Sequence, residues 1–526
     1  MTFIRLLKER EDNMKKLRIT GHILAVIQLV FSILVVILAL ATRFVPVGFG
    51  ALGALILIML DAFVVFMSLK RKKSIRIVAI CLSSLLIILL AITSYYLYVT
   101  NKAIDDVTGV KTEVDEINVY VAKDDAVNSI NDAVNQSYVF GLNNTDDQAH
   151  IMETVNSIQK DLGVTLAIKS YDTIFELTKA FQAGEVNALI TNTGSIALLD
   201  SSEDFHDYSQ NLKIIMEKKI EEKIEDKGKS GKIDDDHFCM YFSGIDTYGA
   251  VTIRSRSDVN IIGVVNNKTK QLLLISTPRD YYVPLADGKG HMDKLTHAGV
   301  YGIECSMDTL GDLYGVEMSN YLRLNFSGFK DIIDNLGGID VESEYGFTAD
   351  MLEGKYTFSQ GTNHLNGDQA LAFARERYAF RDGDRQRGRN QMRIIKATVE
   401  KLQSSDMLKN YSGVMEEMKG SFQTDMEKGD VGYLVQSTIE DSSWEVLTYS
   451  VGGNDSTKNC YSLGSEAYVM IPNEDDIDYA KTLINKIMSD EVVTQDEINV
   501  YLDNKDAEDL IDQSSQEQDM EAGEPE

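Results

Sequence analysis

Positive charge is in short supply in this chain: 51 lysines and arginines stand against 81 aspartates and glutamates, a net charge of −30 over 526 residues. That balance argues against nucleic acid as a partner, because a polyanion is held by a cationic surface. Cysteine is scarce too, with four residues and neither a CxxC pair nor a Cys/His spacing, so no zinc site is read. Cys81 lies in an apolar stretch and Cys239 in a strand-like run, whereas Cys305 and Cys460 sit in polar, loop-like surroundings. Outside the cytoplasm a disulfide between Cys305 and Cys460 would persist; two separate free thiols are the alternative. A complete P-loop is missing as well. Lys227-Gly-Lys-Ser-Gly-Lys232 lacks part of the pattern and follows no strand, so nucleotide binding is set aside. The stretch from Glu113 to Asp200 contains no nucleophile, metal cluster or glycine-rich phosphate loop and reads as non-catalytic.

What the chain does have, near its N-terminus, is three long apolar runs: Ile19–Thr42, Phe44–Leu69 and Ile77–Thr100. Each is long enough to cross a bilayer. The first is too long for a signal peptide and has no small-residue cleavage site. Arg5, Lys8, Arg10, Lys15, Lys16 and Arg18 precede the first run, and Lys70, Arg71, Lys72, Lys73 and Arg76 separate the second from the third. Between the first and second there is only Arg43. Basic residues stay in the cytoplasm, so the expected topology is a multi-pass cell-membrane protein with its N-terminus inside and everything after Thr100 outside. Asp61 is the one acid within a span and calls for a partner on another helix or a place at the membrane edge.

The expected organisation has five parts. Residues 1–100 form the cytoplasmic N-terminus and the three spans. Residues 113–205 alternate strand and helix patterns, as in the helices Ile151–Leu162 and Ile174–Phe181 and the strands Val164–Ile168 and Ala188–Thr191, which predicts a small α/β domain. Residues 206–236 are charged and of low complexity and read as a linker. Residues 237–490 carry a second α/β domain, with strands at Cys239–Ser243, Val259–Val265 and Leu272–Ser276 and helices at Gly302–Leu313, Phe326–Leu336, Gly367–Ala374, Arg387–Leu402 and Ile477–Met488. Residues 491–526 read as a disordered acidic tail; from Asp490 onward there are fourteen acids and one lysine.

Chemistry-bearing residues collect in the second α/β domain. Asp246 follows one strand and Asp258 opens the next, so two neighbouring strands would bring both carboxylates together. Two hard oxygens plus water and phosphate oxygens suit Mg²⁺; a surface-turn aspartate and an Asp–Arg salt bridge are the alternative. Arg279 stands just beyond a strand end in Ser276-Thr-Pro-Arg-Asp280, where open α/β sheets bind ligands. Lys294 follows nearby, and His297 reads as a satisfied structural histidine. Seven arginines lie between Arg375 and Arg393. Arg375 and Arg377 end a helix, and Asp384, Arg387 and Gln391 share a helical face by their spacing. An isolated arginine run is often a solvated or membrane-facing surface. In a strongly acidic chain outside the cytoplasm, the arginine fork instead points to phosphate or pyrophosphate, which it pairs with bidentately.

The same stretches resemble the LytR–CpsA–Psr family of cell-envelope phosphotransferases. The matching elements are Ser243-Gly-Ile-Asp246, Arg256-Ser-Asp258, Ser276-Thr-Pro-Arg-Asp280, Lys294-Leu-Thr-His-Ala298, Asn325-Phe-Ser-Gly-Phe329, Leu336-Gly-Gly-Ile339, Leu365-Asn-Gly-Asp-Gln-Ala-Leu371, Arg375-Glu-Arg377 and Asp384-Arg-Gln-Arg-Gly-Arg-Asn-Gln391. They fall in family order across residues 237–488. The three spans and the 113–200 segment are similar to the anchor and accessory domain of the capsule-type branch. One departure is Asn192-Thr-Gly-Ser-Ile, where relatives often carry an aromatic stretch; another is Asn390, where many have arginine. The resemblance implies an α/β/α domain with a mixed central sheet flanked by helices. It also implies transfer of a glycopolymer from a polyprenyl pyrophosphate carrier to a peptidoglycan hydroxyl, leaving a phosphodiester. Carried over, Asp246 and Asp258 would hold Mg²⁺; Arg256, Arg279, Arg375, Arg377 and Gln391 would grip the pyrophosphate, supported by Arg387 and Lys294. Proteins of capsule or wall-polymer synthesis are further candidate partners. The same ligands would also serve a non-catalytic regulator that binds polyprenyl phosphate, or a lipid pyrophosphate hydrolase that uses water.

Overall fold

The computed structural model describes residues 2–45, 47–109, 112–224, 237–245, 250–352, 354–381, 383–402, 422–440 and 444–505. The chain divides into two compact units.

The first unit holds helices α1 (Thr2–Thr42), α2 (Val47–Leu69) and α3 (Lys73–Val107). All three are long and apolar enough to cross a membrane. Asp61 of α2 accepts hydrogen bonds from Gln28 Nε2 (2.7 Å) and Ser32 Oγ (3.3 Å) of α1, so the one acid in the spans has its partners on a neighbouring helix. The unit also includes residues 424–440, which the sequence reading assigned to the second α/β domain. Lys428 Nζ donates to Asn101 Oδ1 (2.7 Å) and to Asp105 Oδ1 (2.8 Å) at the end of α3, and Gly109 N donates to Met426 O (2.8 Å). Charge pairing more than 300 residues apart leaves no local pattern to read.

Among its described residues the second unit contains two large sheets and four two-stranded ones. The first is five-stranded, in the order β3-β2-β4-β1-β5, with β1 at Thr112–Ala122, β2 at Val139–Asn143, β3 at Ala167–Tyr171, β4 at Ala188–Asn192 and β5 at Leu212–Lys223. Its helices are α4 (Ile130–Asn135), α5 (Gln148–Leu162), α6 (Ile174–Gln182) and α7 (Thr193–Asp200). The linker expected at 206–236 is therefore corrected: β5 pairs antiparallel with β1 from Leu212↔Ala122 to Lys223↔Thr112. Its lysines and glutamates disguise it as low complexity, but charge is what an edge strand carries to avoid pairing with another chain. Residues 225–236 lie outside the described residues.

A buried polar knot sits in this accessory domain. Asp146 accepts from Thr191 Oγ1 (2.6 Å), Asn143 Nδ2 (2.9 Å), Asn192 N (3.1 Å) and Ser195 Oγ (2.5 Å). Burial raises its carboxyl to about 6 despite those donors. A carboxyl held above its unfolded value of ~3.9 favours the fold most below that pH and loses the contribution as pH rises through the folded value. The thermal midpoint of wild type minus that of Asp146→Asn is therefore expected to shrink between pH 4 and pH 7, measured by circular dichroism at each pH. A difference that grows with pH would reverse the assignment.

The second sheet is six-stranded, in the order β16-β11-β6-β7-β8-β17. Strands β6 (His237–Ile245), β7 (Ser257–Asn266) and β8 (Gln271–Ser276) are successive antiparallel neighbours. A short hairpin follows, β9 (Tyr282–Pro284) with β10 (Met292–Lys294). Strand β11 (Asn320–Asn325) runs parallel to β6. Strands β12 (Ile339–Ser343), β13 (Phe347–Leu352), β14 (Gly354–Phe358) and β15 (Gly361–Leu365) form two ribbons beside the sheet. β16 (Phe422–Thr424) is one edge, and β17 (Glu445–Ser450), parallel to β8, is the other. A last hairpin pairs β18 (Gly453–Cys460) with β19 (Ser465–Pro472).

Alternation along these strands sends side chains to two faces. Cys239, Tyr241, Ile262, Val264, Leu273, Ile275, Leu447 and Tyr449 pack with helix α8 (Ile303–Tyr314) and helix Glu474–Met488. Val259, Ile261, Leu272, Leu274 and Val446 face the other way, onto Met392 and Ile395. Those two belong to the long helix Gly383–Leu402, which packs with α9 (Phe326–Asn335) and α10 (Gly367–Arg375); the long helix is α11. The result is the expected α/β/α arrangement with a mixed central sheet. The tail is corrected at its start: residues 495–505 are helical. Val493 and Ile498 enter the core, and Tyr501 stacks on Tyr479 with centroids 3.6 Å apart. The Gln495 amide completes edge strand β17, accepting from Thr448 N (2.9 Å) and donating to Thr448 O (3.1 Å). Residues 506–526 lie outside the described residues. The suggested disulfide does not form. All four cysteines are free, and Cys305 and Cys460 are buried in two different core clusters.

Candidate active site

The carboxyl ends of β6, β8, β11 and β17 and the start of β7 meet at one end of the six-stranded sheet. Asp258 occupies this end. The register of β6 with β7 slips between Gly244 and Ile245, pairing Gly244 with Val259 and Ile245 with Ser257, so Asp258 is the extra residue of a bulge. Bulges re-aim side chains beside active sites. Its neighbour Ser257 is pinned by Tyr241 (2.9 Å) and Ser243 (2.8 Å).

Arg279, three residues past β8, places Nη1 at 2.9 Å from both oxygens of Asp258. Thr296 Oγ1 also reaches Asp258, at 3.4 Å. Burial raises the Asp258 carboxyl, but Arg279, Arg256 and Arg387 together pull it down to about 2. Asp280 behaves alike: burial opposes ionisation, and Arg279, Lys294 and Arg387 hold its carboxyl far below the usual range. Lys294 Nζ donates to Asp280 Oδ1 (3.1 Å), and Arg377 Nη1 lies 3.6 Å from Asp280 Oδ2. Five expected cations, Arg256, Arg279, Lys294, Arg377 and Arg387, thus converge on two buried carboxylates.

The remaining expected residues flank this centre. Arg375 ends α10 with its guanidinium 4.5 Å from the ring centroid of Phe326. Gln391 Nε2 donates to Ala374 O at 3.4 Å, which ties α11 to the end of α10. Arg387 reaches the sheet because Gly388 follows it: a Cβ there would stand 2.5 Å from Ser276 Oγ and 3.1 Å from Ser450 Oγ. Asp246 lies outside the described residues, immediately after Ile245. Asn390, the position where a contact was in doubt, is buried; it accepts from Gln386 (3.0 Å) and donates to Phe373 O (3.4 Å). His297 is the structural histidine expected: it is 3% exposed, with Nδ1 2.6 Å from Asp293 Oδ1.

Sequence reasoning missed Asp280 as a member of the site. Its only signal was its place beside Arg279 in the quoted stretch, and neighbouring arginine and aspartate look like an ordinary surface pair. A second cluster, Asp147, His150 and Glu222 in the accessory domain, brings ligand atoms within 4.8 Å of one another. There the Arg254 guanidinium already lies on Glu222.

Comparison with known proteins agrees with the motifs. The family model LytR_cpsA_psr matches residues 202–483, more than half of the chain. The chain is similar to the polyisoprenyl-teichoic acid–peptidoglycan teichoic acid transferase TagU of Enterococcus faecalis, 33% identical over 196 residues, covering 37% of this chain and 63% of the relative. TagU of Bacillus cereus is 34% identical over 184 residues, covering 35% of this chain and 58% of that protein. The match spans less than two thirds of either relative's length. Among solved structures, B. subtilis TagV aligns with a TM-score of 0.41 and 26% identity, covering 49% of this chain and 98% of that one. TagT bound to LI-WTA aligns with a TM-score of 0.40 and 25% identity, covering 50% and 94%. With its motifs in family order and the family model matched over 202–483, the chain belongs to the LytR–CpsA–Psr family.

Proposed function

We propose that this protein is a membrane-anchored phosphotransferase that moves a glycopolymer from a polyprenyl pyrophosphate carrier to a peptidoglycan hydroxyl. The polymer is a capsule polysaccharide or another wall glycopolymer. The observation that supports it is the convergence of Arg256, Arg279, Lys294, Arg377 and Arg387 at the strand ends. In an acidic chain, a fixed group of cations around buried carboxylates suits a doubly charged pyrophosphate. Its oxygens would displace part of the Asp258 and Asp280 pairing, with Arg375 and Gln391 closing from α10 and α11.

The acceptor oxygen attacks the phosphorus that carries the polymer. The bond from that phosphorus to the bridging oxygen breaks, polyprenyl phosphate leaves, and the acceptor hydroxyl gives up its proton. Negative charge moves onto the bridging oxygen, where fixed cations stabilise it most. Mg²⁺ would be held by Asp258, with Asp246 following the paired strand. The donor chemistry suits it: Asp258 is a hard oxygen ligand kept ionised by its arginines. When bound, the ion neutralises phosphate charge.

The test incubates the full-length protein with a lipid-linked donor and wall fragments, followed by mass spectrometry. Polymer joined to peptidoglycan through a phosphodiester supports the transferase. Free polymer phosphate points to a hydrolase, and donor binding without turnover to a regulator. Orientation is tested separately. Protease added to intact, wall-stripped cells is expected to digest the chain after Thr100 and spare the N-terminal tail; the reverse pattern would refute an external catalytic domain.

A further inference from the structure

Among the contacts of the accessory domain with the six-stranded sheet is one buried carboxylate; another is Gln423 Nε2 of β16, which donates to Thr112 O of β1 at 3.1 Å. Glu113, on β1 and 3% exposed, places Oε1 at 2.6 Å from Arg323 Nη2. Arg323 belongs to β11 and is itself 1% exposed. Glu113 also accepts from Ile303 N, at the start of α8, at 3.1 Å, and its Oε2 lies 3.5 Å from Arg254 Nε. Arg254 extends from there to Glu222 on β5 and, at 4.0 Å, to Asp115 on β1. Backbone completes the junction: Val114 N donates to Thr252 O (2.9 Å), and Arg254 N donates to Val114 O (3.0 Å). A cleft of about 380 Å³ opens beside these groups, lined by Glu113, Glu222 and Arg254 among others.

Residues 250–256 are the segment gripped in this way, and they lead directly into Arg256 and Asp258. Behind them the segment is close-packed, because Gly299 approaches Ser255 O too closely for any Cβ. We infer that the accessory domain braces the active-site loop, with Glu113 and Arg254 as positioning residues that set where Arg256 and Asp258 stand. Neither need touch substrate. An arginine and a carboxylate at this depth hold their geometry tightly, because leaving either without its partner is costly. A shift of about 1 Å in a charged group can cost ~100-fold in rate. The inference rests on the proposed roles of Arg256 and Asp258, so its test includes a readout independent of transfer.

Three full-length variants in detergent serve: Glu113→Gln, Arg254→Met and, as control, Lys218→Met, which removes only a pair with Glu153 on the accessory surface. Arg254→Met leaves Glu113 its contact with Arg323 and is the variant expected to fold if Glu113→Gln does not. Hydrogen exchange is expected to rise at least about tenfold at amides 250–258 while β7 beyond Val259 and β8 stay protected. Turnover per folded molecule is expected to fall ~10- to 100-fold. The control should match wild type in both. Unchanged exchange at 250–258, or loss of protection spread evenly over the six-stranded sheet, would overturn the inference. Raised local exchange with undiminished turnover overturns it too. If wild type shows no transfer at all, the proposed function fails on its own, and the exchange pattern still decides whether the loop is braced.

Discussion

Asp258→Asn is expected to lower transfer by about 10³-fold or more, to near the background of the assay. The ionised carboxylate holds Arg279 through both oxygens and stands among Arg256 and Arg387. Removing its charge scatters that group and takes away the proposed Mg²⁺ ligand. Losing several kcal/mol of charge stabilisation in the transition state accounts for a factor of this size. The same change removes one of two carboxylates from Arg279, which is 21% exposed and keeps Asp280 at 3.5 Å, so the loss of stability is expected to be smaller than the roughly 3–5 kcal/mol of a fully buried pair. A melting curve must therefore accompany each rate. Chelator should abolish wild-type transfer reversibly, with Mg²⁺ restoring it, and Mn²⁺ bound to the protein should be detectable by electron paramagnetic resonance in wild type and lost in Asp258→Asn. Full activity of the variant in metal-free buffer would remove both the ion and Asp258 from the mechanism.

The second large effect is expected at the end of α10. Arg375→Lys and Arg377→Lys keep charge but lose the planar fork that pairs with two phosphate oxygens. Losing one charge-assisted hydrogen bond removes roughly 1.5–3 kcal/mol, or about a 10- to 150-fold fall in transfer. Arg377 makes the sharper test. Its guanidinium is 3.6 Å from Asp280, and its Nη2 donates to Tyr378 Oη at 2.6 Å. Lysine would keep the attraction to Asp280 while losing the second bond. If the cluster were only a basic surface facing the membrane, lysine would serve as well, because a diffuse field depends on charge and not on shape. Transfer rate and donor affinity, with circular dichroism as the folding control, separate the two. Near-wild-type transfer in both variants would take these arginines out of the site.

The fold was legible wherever a pattern is local. The spans needed only a count of apolar residues, and the helices Ile174–Gln182 and Glu474–Met488 followed from their periodicity. The short apolar runs Val259–Val265 and Leu272–Ser276 read as strands and fall within β7 and β8. Local composition misled at β5, where lysine and glutamate concealed an edge strand, and at residues 495–505, where acidic surroundings concealed a helix whose apolar residues reach the core. Cys305 and Cys460 illustrate a third kind of failure. Their polar neighbours suggested exposed loops, yet both side chains are buried, and in separate clusters.

From sequence alone came the membrane anchor, the two α/β domains, the family and the identity of the arginines, aspartates, lysine and glutamine expected to act. These depend on residue type, spacing and order, which the chain carries in one dimension. Folding alone decided that Asp280 joins Asp258 as a second collecting point for cations, that Asp258 stands on a bulge, and that Glu113 reaches Arg323, 210 residues away, and Arg254. Each of these is a contact between segments distant in sequence. Its strength comes from burial, since water no longer competes for the charges, and burial exists only once the sheets and helices have packed.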